Sequence, residues 1–182
     1  HQVSPNALFT AAFGLALARW KHTSDAVFTV IYNGRTDPRT ASTIGMLVKT
    51  LPVYINTEES DTVQFVRSVK EQLAGLMAND LYSFTEASRA FGIRSDIIFA
   101  YQGEMLGGAE IAGHEAEIIA LPLKTAKAPL NIDVFREGDG YHFDWEYRAD
   151  LYSKELMMSL ADAVASATVS LLEEKDLASV SL

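Results

Sequence analysis

The sequence predicts an α/β fold in which a mixed sheet is flanked by helices, and three observations carry that prediction. Segments with apolar residues at helical spacing alternate with short β-rich runs. Apolar residues make up 48% of the 182 positions, enough to fill a core for one domain or one large subdomain. The elements follow in the order helix, strands, helix, strands, helix, with no internal repeat, which favours an α/β sandwich.

Ser4 followed by Pro5 opens the first helix, because the hydroxyl can accept from an orphan amide and proline at the first helical position loses no bond. The helix runs to about Lys21. Leu8, Phe9, Phe13, Leu15, Leu17 and Trp20 fall on more than one face, so it should be packed on most sides. After Thr23-Ser24-Asp25, the run Val27 to Tyr32 reads as a strand that Asn33-Gly34 ends as a turn. Val48 to Ile55 is a second extended segment, placed at an edge or a bulge by Pro52. Asp61 with Gln64 three residues on resembles a capping box, and Val63, Val66, Val69, Leu73 and Leu76 give a helix over about 61–79.

Phe84 to Phe91 reads as a short helix and Asp96 to Tyr101 as an apolar strand, followed by a loop punctuated by Gly103, Gly107, Gly108 and Gly113. Glu115 to Leu121 and Leu130 to Phe135 are expected strands. Glu137-Gly138-Asp139-Gly140 is a hairpin turn into Tyr141 to Arg148. In that last strand Tyr141, Phe143, Trp145 and Tyr147 alternate with His142, Asp144, Glu146 and Arg148, and the aromatic row reads as core. Ser153 caps a final helix to about Glu174, with Leu156, Leu160, Val164, Ala167 and Leu171 on one stripe.

Composition removes several function classes. The net charge is −9 and no two Lys or Arg residues adjoin, which argues against a nucleic-acid groove or an anionic membrane surface. The absence of cysteine excludes disulfides, thiolate metal sites and a cysteine nucleophile, and fits a cytoplasmic setting. The longest uncharged apolar stretch, Ala7 to Ala18, is too short to span a bilayer. His142, Asp144 and Glu146 share one face, but same-face positions on a strand stand about 7 Å apart, too wide for one ion, so no metal site is expected. His114 and His142 read as solvent-facing or structural. No GxSxG, P-loop or dinucleotide glycine pattern occurs.

Two segments carry a family resemblance: Tyr32-Asn33-Gly34-Arg35, and Ile44-Gly45-Met46-Leu47-Val48-Lys49-Thr50-Leu51-Pro52-Val53. Together they resemble the "GR" and "GxFVNTLP" segments in the C-terminal lobe of condensation domains of nonribosomal peptide synthetases. Further pieces follow in the family's order. Asn79 to Glu86 is similar to a degraded "HQDYPFE", Phe99-Ala100-Tyr101-Gln102 to "FxYQ", Ala126 to Leu130 to "AKFDL", and Glu146-Tyr147 with Leu151-Tyr152 to "EYxxxLF". Leu47, Lys49, Tyr54, Ser83 and Ala128-Pro129 depart from the usual residues, which leaves condensation, epimerisation and heterocyclisation subtypes open.

The resemblance implies a chloramphenicol acetyltransferase-like α/β sandwich lobe, one of two around a tunnel. Residues 1–182 would be the C-terminal subdomain, cut from a longer polypeptide. The N-terminal lobe with the HHxxxDG histidine is absent, so no catalytic residue and no metal is expected here. It implies amide formation between thioesters held on phosphopantetheine arms of donor and acceptor carrier proteins, with no cofactor of this domain itself. A non-catalytic docking or recruitment module is the alternative from another class. Arg35, next to Gly34, would reach between lobes to the aspartate of HHxxxDG; the plainer reading is that it solvates a strand end beside Asp37. Thr50 and Lys49 are candidates to line the tunnel, against a backbone-bonded core threonine and a solvated lysine. Tyr101 and Gln102 end a strand where a polar tip would face the tunnel. The Gly-rich stretch from Gly103 to Lys127 would include a segment crossing to the other lobe, mobile without it. The exposed interlobe surface of an isolated lobe would favour a homo-oligomer.

Overall fold

The computed structural model describes residues 3–35, 37–82, 84–104, 110–115, 125–173 and 176–180. Helix α1 (Pro5–Trp20) starts where Ser4 accepts from the Ala7 amide at 3.3 Å. It is followed by β1 (Asp25–Tyr32), β2 (Lys49–Asn56), α2 (Thr62–Ala78) and α3 (Phe84–Phe91). Then come β3 (Ile97–Gly103), the short pair β4 (Glu110–Ile111) and β5 (His114–Glu115), β6 (Leu130–Glu137), β7 (Gly140–Tyr147) and α4 (Lys154–Glu173). Asp61 caps α2 by accepting from the Gln64 amide at 2.7 Å, and Ser153 caps α4 by accepting from the Leu156 amide at 3.2 Å.

Five strands form one mixed sheet in the order β2-β1-β3-β6-β7. The three inner strands β1, β3 and β6 run parallel, and the two edge strands are antiparallel to their neighbours. Pro52, which has no amide hydrogen to give a ladder, accordingly lies on the edge strand β2. Helix α1 lies over the middle of the sheet. Phe13 packs against Phe28, Phe99 and Trp145, and Phe9 against Tyr101, Tyr141 and Phe143. Gly14 lets the helix close on β2, since a Cβ there would sit 2.4 Å from Ile55 Cγ1. Helices α2 and α4 pack on the outer side of α1, so every residue from Phe9 to Ala18 is buried. That explains why its apolar residues occupy all faces.

The ladder registers place Phe28, Val30, Tyr32, Leu51, Val53, Ile55, Phe99, Leu130, Ile132 and Val134 on the face toward α1, and all are buried. The opposite face carries Thr29, Pro52, Ala100, Asn131, Asp133, Asp144 and Glu146. Three details differ from the sequence expectation. The buried stripe of α4 begins at Met157, with Leu156 only partly buried against the core. The aromatic row of β7 is half-buried, not enclosed, because β7 is an edge strand, and Tyr141 is 40% exposed. The expected strand over Glu115 to Leu121 lies outside the described residues except for Glu115, which pairs with Glu110. Most of the Gly103 to Lys127 stretch lies outside them as well. Among the described residues α4 is the one helix long and apolar enough to cross a membrane. Its apolarity has another cause: Met157, Leu160, Val164, Ala167 and Leu171 are core.

Candidate functional site

The carboxyl ends of β1, β3 and β6 and the start of β2 meet at one end of the sheet, where open α/β sheets bind ligands. The tight turn after β1 requires Gly34. Its φ is +66°, and a Cβ would lie 2.1 Å from the Leu47 carbonyl oxygen, so no side chain fits without moving backbone. The turn delivers Arg35 into the loop that follows. Its Nη1 donates to the carbonyls of Thr40 at 2.7 Å and Thr43 at 2.9 Å, and its Nη2 donates to that of Gly45 at 3.0 Å. The Arg35 amide donates to Asn33 Oδ1 at 3.0 Å.

At the end of the strand, and partly exposed, Arg35 has three carbonyl partners. It staples the loop from Thr40 to Gly45. Three of its five hydrogens are used, and Nε and one Nη2 hydrogen have no partner among the described residues. Asp37 pairs with Arg39 at 2.5 Å instead, which holds its carboxyl below the usual carboxylate range. The stapled loop holds Ile44 at 102% and Met46 at 92% exposure, apolar side chains presented to solvent at the rim of the site. Leu81 and Phe91 are also exposed. Ile44 and Met46, two positions apart on the loop, are large apolar side chains left uncovered.

Lys49 and Thr50 line a cleft of about 280 Å³ together with Val48, Leu51, Tyr82, Phe84 and Thr85. The two share the cleft although adjacent strand residues point to opposite faces; Lys49 opposes Tyr32 and Thr50 opposes Ile31. Tyr101 and Gln102 part company. Tyr101 turns toward α1, stacked on Phe9 with ring centroids 6.3 Å apart. Burial and the hydrogen-bonded Tyr141 phenol hold its hydroxyl above the ordinary tyrosine range. Gln102 turns to the other face, where its Nε2 donates to Asp133 Oδ1 at 2.7 Å.

Sequence reasoning missed Asn131, Asp133, Glu104 and Arg136. Arg136 and Glu104 pair at 3.0 Å beside Tyr101, and Asn131 is buried. The signal available was the alternation Leu130, Ile132, Val134 against Asn131, Asp133, which puts both polar side chains on one face. His142 Nε2 lies 2.7 Å from Asp144 Oδ1 on the exposed face of β7. Among the described residues no group of three or more His, Asp or Glu side chains is placed to hold a metal ion.

An open mixed sheet covered by helices defines an α/β protein, and comparison with known proteins says which kind. The family model for the condensation domain matches residues 1–178, and the chain belongs to that family. It is 26% identical over 163 residues to bacitracin synthase 2 of Bacillus licheniformis, covering 85% of this chain and 6% of that protein. It is 25% identical over 189 residues to a plipastatin synthase of Bacillus subtilis, covering 97% of this chain and 7% of that one.

Among solved structures, a mutant of the starter condensation domain of the rhizomide synthetase RzmA superposes with a TM-score of 0.78 at 16% identity. The match covers 97% of this chain and 44% of that one. The epimerization domain of the third module of tyrocidine synthetase B gives 0.70 at 24% identity, covering 94% and 42%. The fold is chloramphenicol acetyltransferase-like, and the chain is a condensation-domain lobe spanning under half of those solved chains and a small part of the curated relatives.

Proposed function

We propose that the chain is the C-terminal lobe of a condensation domain that forms amide bonds between acyl and aminoacyl thioesters held on carrier proteins, and that it is inactive alone. The observation that carries this reading is the family match over residues 1–178, with both fingerprint segments meeting at the carboxyl end of the sheet. Lys49 and Thr50 then form part of the acceptor side of a tunnel. The exposed Ile44 and Met46 face the N-terminal lobe, which supplies the histidine of HHxxxDG. Amide formation needs an amine held against a thioester carbonyl and stabilisation of the tetrahedral oxyanion. This lobe contributes a wall, and it contributes the shape of the loop that Arg35 staples. The Nε hydrogen and the second Nη2 hydrogen of Arg35 remain to donate to a carboxylate of the other lobe. Donor and acceptor carriers present their phosphopantetheine arms as substrates, and the setting is the cytoplasm.

The test is amide formation by the parent polypeptide, supplied with loaded donor and acceptor carriers and read by mass spectrometry. A dipeptidyl product supports the proposal. No amide, with exchange of the substrate's α-hydrogen for deuterium from the solvent, replaces it with an epimerisation lobe, and neither outcome with carriers still bound replaces it with a recruitment module.

A further inference from the structure

Asp133 lies on β6 with its side chain on the sheet face away from α1, and it accepts two hydrogen bonds. Gln102 Nε2 donates to its Oδ1 at 2.7 Å, and Asn131 Nδ2 donates to its Oδ2 at 2.6 Å. An ionised carboxylate has no hydrogen to give, so both amides must present their NH2 groups to it. The orientation of the Gln102 carboxamide is thereby fixed: its Oε1 is directed away from Asp133, and it has no partner among the described residues. The backbone is shaped to the same end. The β3–β6 ladder shifts register between Tyr101 and Gly103, and Gly103 has a φ of +61°, so Gln102 sits in an irregularity that re-aims its side chain at the carboxyl end of β3. Across β6, the register sets Asp144 opposite Asp133 and Glu146 opposite Asn131. Those neighbours offer Asp133 carboxylates, not donors, and Asp144 is engaged with His142.

We propose that Asp133 is a positioning residue that locks the Gln102 carboxamide oxygen-outward, so that Gln102 accepts a hydrogen bond from an amide N–H of the pantetheine arm carrying the substrate. The identity of the ligand rests on the function proposed above. A pantetheine arm carries two secondary amides, and an N–H taken out of water at the site needs an acceptor. A carboxamide turned the other way would set its own NH2 against that N–H. Asp133 removes this wrong orientation before the arm arrives, which lowers the cost of binding.

Pantetheine itself is the probe, titrated into the parent polypeptide by ligand-observed NMR, with the thermal midpoint of each variant measured alongside. Gln102→Leu deletes the acceptor and raises the dissociation constant about three- to ten-fold. Asp133→Asn offers one acceptor and one donor, so Gln102 populates both orientations and the constant rises about two-fold. In the Gln102→Leu background Asp133→Asn adds nothing. Gln102→Glu alone sets two carboxylates together and weakens binding. Adding Asp133→Asn lets the new amide donate to one oxygen of the introduced carboxylate while the other faces outward, and binding recovers.

Recovery in that double variant, together with silence of Asp133→Asn in the Gln102→Leu background, supports the proposal. Equal effects of Asp133→Asn in both backgrounds overturn it, as does unchanged binding by Gln102→Leu or no binding of pantetheine to the unaltered polypeptide. Binding is read without turnover, so a parent that binds pantetheine through Gln102 but makes no amide overturns the proposed function and leaves this inference standing.

Discussion

Replacing Gly34 by alanine tests how tightly the turn after β1 determines the site. At a φ of +66° an alanine is held in the left-handed region, which costs roughly 1–2 kcal/mol. Its Cβ would stand 2.1 Å from the Leu47 carbonyl oxygen, a backbone atom that cannot swing aside as a side chain would. Relief requires the loop to retreat by about 1 Å, which pulls on the bond from Arg35 to the Gly45 carbonyl and forfeits about 1 kcal/mol more. The expected loss is therefore about 2–3 kcal/mol in all. The control is Gly138→Ala in the β6–β7 hairpin, where φ is +56° but a Cβ meets nothing within 4 Å, so only the conformational part of about 1–2 kcal/mol applies. Urea unfolding of both variants should place the Gly34→Ala midpoint below that of Gly138→Ala. Equal midpoints would refute the reasoning that the Leu47 contact, and not the backbone conformation alone, reserves this position for glycine.

Further expectations follow from the same structure. Phe13→Ala removes a fully buried ring that lies 5.0 Å from both Phe28 and Phe99, and urea unfolding should register a loss of about 3–5 kcal/mol. Arg19 donates to the carbonyls of Leu177, at 2.5 Å, and Val180; Arg19→Met should cost about 2 kcal/mol and speed hydrogen exchange at the Leu177 amide, which donates to Ser60 O at 2.7 Å. Tyr101 titrates above its ordinary range in the folded chain because of burial and the neighbouring Tyr141. The folded state then holds a proton that the unfolded state has lost, so stability falls as pH rises above about 10. The urea midpoint of Tyr101→Phe should fall less steeply over that range than that of the unaltered chain.

Local features were legible in the sequence because their causes are local. The caps at Ser4, Asp61 and Ser153 each rest on one side chain and an amide three residues away. The spread of apolar residues around α1 indicates a helix packed on most sides, and the sheet, α2 and α4 supply that packing. Pro52 pointed to an edge or a bulge, and β2 is an edge strand. The resemblance carried the family, because its segments follow one another along the whole chain. The strand order β2-β1-β3-β6-β7 was not legible, since it depends on pairings between distant segments. For the same reason the contact of Gln102 with Asp133, 31 positions apart, could not be read, though alternation alone places Asn131 and Asp133 on one face. The carbonyls that occupy Arg35 belong to a loop whose path no periodicity describes. Tyr101 and Gln102 do not form one polar tip, because strand alternation sends them to opposite faces.

The most direct test of the central claim is the amount of dipeptidyl product made by the parent polypeptide from loaded donor and acceptor carriers when Arg35 is changed. Arg35→Ala removes both the staple and the two remaining donors, whereas Arg35→Lys keeps the charge and loses the planar geometry. The account predicts that both variants stay folded by circular dichroism, that Arg35→Ala loses at least about ten-fold in product rate, and that Arg35→Lys recovers only part of it. Product formed at the unaltered rate by a folded Arg35→Ala polypeptide would contradict it.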